Sequence, residues 1–453
     1  MSLKVIELND NAIRVGDESG ILIQSPGFAL ALGDTLKLGE EAQQQARIHP
    51  TSSYNKYWHE LSVEPISHAN GIRHLADIAY AQLLHLASVG EIDSDVIFAV
   101  PGNFTPQQLS ILLGLAKQSP FKPVGMVDLG LAAGISSGLK GSLVYADIQL
   151  HQVVLTKLVT ENNGLKVDSV IQVPGVGSQH FMDLMMQLAT GLFIQQCRFN
   201  PQHDAESEQQ LYNALPHWLQ ENAEDKSSLL LELRTSSAVH TAKMPRESLI
   251  NKLTPYYQNI EEQIAALAAG EPIHLLLNGE LAQLPGFTAS LSPYEGHAIL
   301  DPNSVNATCH NYQDYIVPKS DEIHLVNSLP LQRDIPQNVV AGQNEPKQSS
   351  RTDRVTHLLF QNRAIAINRV EIRNNGKLNG NAADSIMLSL ADLPAQLGQF
   401  EKHDQDVYLD SGEQEFLLNR SPVSGRHKLS LGDHIQFSEN SDEILLIQVH
   451  DGE

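Results

Sequence analysis

Two short polar turns carry residues that could bind a phosphate group. Glu7 and Asp147 each lie near the end of an apolar segment, and a turn follows each segment. Such a turn holds an anion when several backbone N–H groups point at it, which requires positive φ angles and favours glycine. The second turn, residues 149–152, reads Gln-Leu-His-Gln and contains no glycine. A left-handed residue other than glycine costs about 1–2 kcal/mol, so the sequence favours a plain hairpin over a phosphate site.

The first turn consists of Asn9, Asp10 and Asn11. Asparagine and aspartate tolerate left-handed backbone angles, so the bend itself is predicted to form. The carboxylate of Asp10 would repel a triphosphate unless a cation lay between the two groups. The first turn therefore also argues against tight phosphate binding.

The surrounding segments predict the strands and helices that must position these turns. Thr105, Pro106 and Gln108 predict the start of a helix, with a threonine N-cap, a proline at the first helical position and a capping box. The predicted order is strand, capped helix, strand, short helix of small residues and hairpin, at residues 96–100, 105–116, 123–128, 131–134 and 142–159. These elements alternate between strand and helix, which is typical of an α/β fold.

Two later segments give further local predictions. Residues 161–164 read Glu-Asn-Asn-Gly, which predicts a tight hairpin turn. Residues 246–269 predict a long helix. We expect Pro255 to interrupt that helix, because proline cannot donate the helical hydrogen bond.

The composition excludes several classes of function. The chain has 30 Lys and Arg residues against 53 Asp and Glu residues, a formal charge of −23. This charge repels nucleic acids and anionic membrane surfaces, so we expect neither as a partner. The sequence has no apolar run of about 18 residues, so we expect no insertion into a membrane. Cys197 and Cys309 are far apart and lack the spacing of a metal site, which suits a reducing cytoplasm.

The order of these elements resembles the nucleotide-binding domain of the seventy-kilodalton heat-shock chaperones, within the actin, chaperone and sugar-kinase superfamily. The matching pieces are residues 99–101 (Ala-Val-Pro), Asp128 with the Ala-Ala pair at 132–133, and Asp147-Ile148. The resemblance implies a two-lobed actin-like ATPase domain of ribonuclease H-like fold, which we predict at residues 1–330. It does not include the peptide-binding region of those chaperones.

The resemblance also implies a site for ATP or ADP with Mg between the two lobes. The expected nucleotide contacts are Asn9, Asp10, Asn11, Gln149, Gly175, Gly177, Asn278, Gly279 and Glu280. Of the glycines that the family places at its phosphate and ribose turns, Gly177 and Gly279 are kept here. Most of the backbone needed to hold a triphosphate is therefore replaced by side chains.

Three functions follow from the resemblance. The first is a non-hydrolysing, chaperone-like scaffold that binds a protein partner, for which the sequence identifies no definite cofactor or metal site. The second is a working ATPase, in which Glu7 and Asp147 orient metal-bound water and Asp128 takes the proton. The third, a sugar or acid kinase, needs a substrate base that the sequence does not identify. The loss of glycines favours the scaffold.

The last part of the chain predicts a linker and a separate β domain. Residues 331–354 are rich in Pro, Gln, Asn and Ser, as in a linker. Residues 355–453 predict short strands of a small β-sandwich. The segments 410–419 and 427–435 resemble the end of a forkhead-associated (FHA) domain.

Phosphopeptide binding by this FHA-like module is not expected. In that family arginine, serine and histidine side chains at fixed positions bind phosphothreonine. The corresponding residues in this chain are Gly380, Asn381, Pro394, Ala395 and Leu397. These side chains supply no charged donor, so the sequence favours a degenerate FHA-like interaction module.

Overall fold

The computed structural model describes residues 3–66, 72–221, 227–235, 238–291, 297–320, 322–331, 355–360, 363–367, 369–374, 385–388, 394, 396–403, 406–418, 421–429, 433–438 and 444–447. The chain divides into two compact units, Met1–Pro336 and Gln337–Glu453. The predicted linker lies outside the described residues except for Leu331. Gly380, Asn381 and Ala395 also lie outside them.

The first unit combines strands and helices. Its strands are β1 (Lys4–Glu7), β2 (Ile13–Asp17), β3 (Gly20–Ser25), β4 (Ala29–Leu32), β5 (Thr35–Leu38), β6 (Ser53–Tyr54), β7 (Asp95–Val100), β8 (Lys122–Asp128), β9 (Ser142–Ile148), β10 (Gln152–Glu161), β11 (Gly164–Pro174), β12 (Ser228–Arg234), β13 (Val239–Pro245), β14 (His274–Leu277), β15 (His297–Ile299), β16 (Leu325–Val326) and β17 (Ser328–Pro330). Its helices are α1 (Glu40–Gln43), α2 (Leu75–Val89), α3 (Pro106–Ala116), α4 (Leu129–Ser136), α5 (Ser178–Cys197), α6 (Ala205–Glu221), α7 (Arg246–Ala268), α8 (Gly279–Ala282), α9 (Phe287–Ser290), α10 (Ser304–Asn311) and α11 (Gln313–Ile316).

Two six-stranded sheets repeat one connection pattern. The first sheet has the order β16-β8-β7-β1-β2-β3, and the second has the order β15-β14-β9-β10-β11-β17. In the first sheet β1, β2 and β3 form an antiparallel meander, and β7 and β8 join β1 in parallel. In the second sheet β9, β10 and β11 form the meander, and β14 and β15 continue from β9 in parallel. The first hairpin of each sheet therefore carries one of the two predicted turns.

Smaller sheets flank these two. Strands β5, β4 and β6 form a three-stranded sheet, and β12 pairs with β13 in a separate hairpin. The first sheet packs on α2 and α3, with Phe98 and Leu83 fully buried between them. The second sheet packs on α5 and α7 through a core that includes Phe181 and Tyr257. These two cores fix the hairpins of the two sheets.

Most local predictions for this unit are confirmed. Strand β7 and helix α3 lie where predicted, and the capping box forms: the Gln108 N–H donates to Thr105 Oγ1 at 3.3 Å. Asn162 and Asn163 adopt left-handed φ angles of 50° and 62° in the predicted hairpin turn.

The predicted interruption at Pro255 is wrong, since α7 is continuous through that residue. Leu249 and Leu253 before the proline and Tyr257 after it are buried in one core. Packing of this apolar face on both sides of Pro255 therefore outweighs the lost hydrogen bond.

The second unit is built of strands over the part that the structure describes. They are β18 (His357–Phe360), β19 (Arg363–Ala366), β20 (Arg369–Asn374), β21 (Ser385–Leu388), β22 (Gln396–His403), β23 (Asp406–Leu418), β24 (Ser421–Leu429), β25 (His434–Gln436) and β26 (Ile444–Ile447). Their order is β19-β18-β26-β25-β23-β22-β20-β21, with β24 paired to β23. The pairs are antiparallel except β20 with β21. A mixed α/β unit followed by a β unit agrees with the predicted classes at this level.

Among the described residues, the helices are all too short or too polar to span a membrane.

Candidate functional site

The two predicted turns contact each other directly. The Asn9 side-chain amide donates to Asp147 Oδ1 at 2.8 Å and to the Ile148 carbonyl at 2.9 Å. In the opposite direction, the Leu150 N–H donates to Asp10 Oδ1 at 2.8 Å. Asn9 and Asp10 are buried. The structure thus brings Asn9, Asp10 and Asp147 together, and hydrogen bonds join the two turns directly.

Three backbone N–H groups of the two turns, those of Asn11, Gln149 and Leu150, already have acceptors. The Gln149 N–H donates to the Gln152 carbonyl at 2.9 Å. The Asn11 N–H donates to Asn9 Oδ1 at 2.9 Å. Because the Leu150 N–H is used by Asp10, none of these three amides is free to bind an anion.

The first backbone N–H groups of helix α5 also have acceptors in the second turn. The Ser178 and Gln179 N–H groups donate to the carbonyls of Gln149 and Leu150, at 2.9 and 3.0 Å. The first N–H groups of a helix normally have no partner and bind anions readily. Here the second turn takes the place that a phosphate would need.

Gly177 serves backbone packing at this contact. A Cβ atom added to it would lie 2.4 Å from both Gln152 N and the Leu150 carbonyl oxygen. Gly175, with φ 74°, forms the bend before α5 and donates its N–H to His151 O at 3.3 Å. The predicted contact of both glycines with phosphate therefore has a simpler explanation in the fit of α5 to the β9–β10 turn.

Side-chain amides fill the space beside the second turn. Gln152 Nε2 donates to Gln149 Oε1 at 2.9 Å, and Gln149 Nε2 donates to Asn103 Oδ1 at 3.2 Å. Gln149 and Gln152 are buried. Glutamines thus occupy a turn at which the resemblance places glycines.

Arg14 lies at the centre of this region, although the sequence analysis did not single it out. On strand β2, it stands opposite Glu7 of β1 and donates to Glu7 Oε1 at 2.7 Å. Its other terminal nitrogen donates to Glu280 Oε1, at the start of α8. The only local signal is a charged residue between the apolar Ile13 and Val15.

The carboxyl groups around Arg14 have raised pKa values. Burial raises the pKa of Glu7 to about 7, although the Arg14 charge partly offsets this effect. Burial and then the nearby charges of Glu7 and Glu280 raise the pKa of Asp147 well above its ordinary value. Glu7 Oε2, Asp147 Oδ2 and Arg14 Nε have no protein hydrogen-bond partner. One guanidinium is therefore shared among more carboxyl groups than it can neutralise.

Asp10 gives a testable pH dependence. Burial raises its pKa to about 6, so the folded protein binds this proton more tightly than the unfolded chain. The stabilisation is complete below about pH 4 and is lost as the pH rises towards about 6. Asp10→Asn should therefore raise the free energy of unfolding at about pH 8 by on the order of 1–3 kcal/mol, with little change near pH 4. Urea unfolding at both pH values measures this difference.

Asp17→Asn is the matched control for Asp10→Asn. Hydrogen bonds from Lys4 and Ser19 hold the pKa of Asp17 well below its usual range. Its contribution therefore has the opposite sign, since it is present above its unfolded pKa and lost in acid. We expect Asp17→Asn to lower stability at about pH 8. Equal effects of both variants at that pH would contradict the assignment for Asp10.

Asp128 has a structural role in the fold. It ends β8, and its Oδ1 accepts the Leu131 N–H at 2.9 Å as the N-cap of α4. Burial raises the pKa of this carboxyl to about 6. The charges of Glu7 and Asp147 act on each other, whereas Asp128 is held at the N-terminus of α4.

The polar side chains of the predicted nucleotide contacts at residues 278–280 also have partners within the protein. Asn278 Oδ1 accepts the N–H groups of Glu280 and Leu281, at 2.9 and 3.2 Å, and so caps α8. Gly279 begins that helix and Glu280 pairs with Arg14. The adjoining cavity, lined in part by Tyr145, has a volume of about 60 Å³. Sites for small molecules usually measure about 300–1,000 Å³.

A second arginine, Arg47, contacts helices α5 and α6 at a more exposed position than Arg14. Arg47, between α1 and β6, pairs with Asp183 of α5, and its Nη1 lies 3.7 Å from Glu208 Oε1 of α6. Its guanidinium also lies 5.0 Å from the ring centre of Tyr212. The Arg47 N–H donates to Gln209 Oε1 at 2.7 Å. Nothing in the sequence around Arg47 predicts these contacts, because its partners lie more than 130 positions away.

These residues do not fit a Mg–nucleotide. The N–H groups of Asn11, Gln149 and Leu150 are used, Glu7 is paired with Arg14, and the adjoining cavity is small. Within the described ranges, no group of three or more His, Cys, Asp or Glu side chains could hold a metal ion. We therefore assign no reaction step to a nucleotide or metal at this site.

A scan against protein-family models found no match for this chain. A search of curated proteins found no significantly similar sequence.

Proposed function

We propose that the first unit is a two-lobed actin-like domain that binds no nucleotide and acts as a scaffold for a protein partner. The repeated connection pattern of the two six-stranded sheets supports the actin-like fold, because such a fold carries one sheet in each lobe. The cleft would then lie between the β1–β2 and β9–β10 turns, where Asn9 contacts Asp147.

The observation that carries this proposal is the position of Arg14. A triphosphate needs cations and free donors around it. Here the buried cation is bound by Glu7 and Glu280, the Leu150 N–H donates to Asp10, and the Gln149 N–H donates to the Gln152 carbonyl. A nucleotide would have to break these contacts before making its own.

The second unit is part of the same proposal, as an FHA-like module that offers a further contact to a protein. Leu397, at the position of the phosphothreonine-binding histidine, is 1% exposed in the core of the unit. Pro394 is exposed but has no donor group. These positions speak against phosphopeptide binding. A cytoplasmic location fits the proposal, since Cys197 and Cys309 are both free.

The ATPase reading remains the alternative. It draws on the proximity of Glu7 and Asp147, and it would assign proton transfer to Asp128. It requires Arg14 to leave Glu7 or Glu280 when the nucleotide enters. A carboxylate that is paired with Arg14 cannot at the same time orient metal-bound water.

Calorimetric titration with Mg-ATP and Mg-ADP separates the two functions. We expect no binding heat up to about 1 mM nucleotide, which corresponds to less than about 4 kcal/mol of binding free energy. The full chain is used, and its urea unfolding curve shows that the sample is folded. Micromolar binding, with turnover that Asp147→Ala abolishes, would contradict the scaffold and establish the enzyme.

A further inference from the structure

The first side of the first unit consists of the first six-stranded sheet with the small β5-β4-β6 sheet, and the second side consists of the second six-stranded sheet with its helices. Two groups of contacts join these two sides. The inner group joins Arg14 of β2 to Glu280 of α8, which follows β14 of the second sheet. The outer group joins Arg47, beside the small β5-β4-β6 sheet, to Asp183 of α5 and Glu208 of α6. The inner group has one arginine from the first side and one carboxylate from the second, and the outer group has one arginine and two carboxylates.

The two groups differ in exposure. The side chains of Arg14 and Glu280 are 6% and 30% exposed, whereas those of Arg47 and Asp183 are 25% and 42% exposed. Buried charge pairs are screened little by salt, and exposed pairs are screened strongly. The inner contact should therefore persist at high ionic strength and the outer contact should weaken.

We infer that the Arg14–Glu280 pair and the pairs of Arg47 with Asp183 and Glu208, together called the latch, hold the two sides of the unit against each other. These internal charge pairs, and not a bound ligand, then maintain the closed arrangement. This inference rests on the proposed function, since a cleft without nucleotide needs another source of closure. Opening the latch would expose the Asn9–Asp147 and Asp10–Leu150 contacts together, because they lie beside Arg14 in the same interface.

In each contact, one backbone amide donates a hydrogen bond from one side to the other, so its hydrogen exchange can detect opening of that contact. The Leu150 N–H donates to Asp10 across the inner contact, and the Arg47 N–H donates to Gln209 across the outer contact. Local opening lets such an amide exchange with solvent without global unfolding. Buried strand β7 serves as the internal reference, because it pairs with β1 and β8 in the middle of the first sheet.

Hydrogen exchange measured by mass spectrometry on the full chain tests the latch. Glu280→Gln breaks the inner pair but keeps Arg14 bound to Glu7, and Asp183→Asn breaks the closer outer pair. In the double variant, peptides containing Leu150 and Arg47 should exchange at least about tenfold faster, while β7 stays protected. The control is Glu232→Gln, which breaks the exposed pair with Arg234 and should change neither peptide.

The outcomes are distinct from those of the nucleotide titration. If the double variant does not fold, each single variant must still speed exchange at its own peptide by at least about threefold. Unchanged exchange in these variants would overturn the latch but leave the scaffold proposal standing. Slower exchange of the Leu150 peptide in the wild-type chain on addition of Mg-ATP would instead contradict the proposed function.

About 1 M salt should speed exchange at Arg47 more than at Leu150, and the reverse order would also overturn the latch.

Discussion

Replacing Arg14 with alanine should lower the free energy of unfolding of the first unit by about 3–5 kcal/mol. The change leaves Glu7 buried at 4% exposure and removes the cation that it shares with Glu280. Removing one partner of a buried pair is costly because the other charge stays out of water. Urea unfolding followed by tryptophan fluorescence measures the loss. Trp58 and Trp218 both belong to the first unit, so the signal reports on that unit alone.

Arg73→Ala is the matched control for Arg14→Ala. Arg73 also pairs with a carboxylate, Asp77, but its side chain is 79% exposed. Exposed pairs contribute about 0–1 kcal/mol, so this variant should unfold almost like the wild-type protein. Similar losses in the two variants would contradict a central role for Arg14.

Replacing Gly177 with alanine should have the next largest effect, a loss of about 2–3 kcal/mol. The added methyl group would lie 2.4 Å from backbone atoms of residues 150 and 152, which cannot move like the end of a flexible side chain. The start of α5 and the β9–β10 turn must separate to admit it. Urea unfolding gives the loss, and hydrogen exchange should localise the disturbance to this contact.

Gly191→Ala is the opposite case on the same helix. Gly191 lies inside α5, and a Cβ atom there would meet nothing within 4 Å. Alanine in such a position should stabilise by about 0.5–1 kcal/mol, because glycine loses more backbone freedom on folding. If Gly177→Ala were as well tolerated as Gly191→Ala, the close packing of α5 on the turn would be wrong.

Signals between neighbouring residues allowed much of the first unit to be predicted. The capping box at Thr105 and the turn at Asn162 and Asn163 depend on residues within one turn of chain, and both are confirmed. The two polar turns were also predicted at residues 9–11 and 149–152, and the structure brings them together. Local chemistry therefore predicted these elements and the two polar turns.

Interactions between distant residues could not be predicted in the same way. Arg14 and Glu280 are separated by 266 positions, and Arg47 and Asp183 by 136. A single sequence contains no local pattern that pairs such charges, because only the packing of the two sheets brings them together. The absence of glycine suggested a poor phosphate site. The structure supplies the physical reason: the Gln149 and Leu150 N–H groups and the Arg14 side chain already have partners within the protein.

The most direct test of the proposal that no nucleotide binds between the two turns is a crystal structure obtained with Mg and a non-hydrolysable ATP analogue in excess. We expect Arg14 to remain bound to Glu7 and Glu280, with the Leu150 N–H still donating to Asp10. Ordered phosphate groups between the turns at residues 9–11 and 149–152, with Arg14 displaced from Glu280, would contradict it.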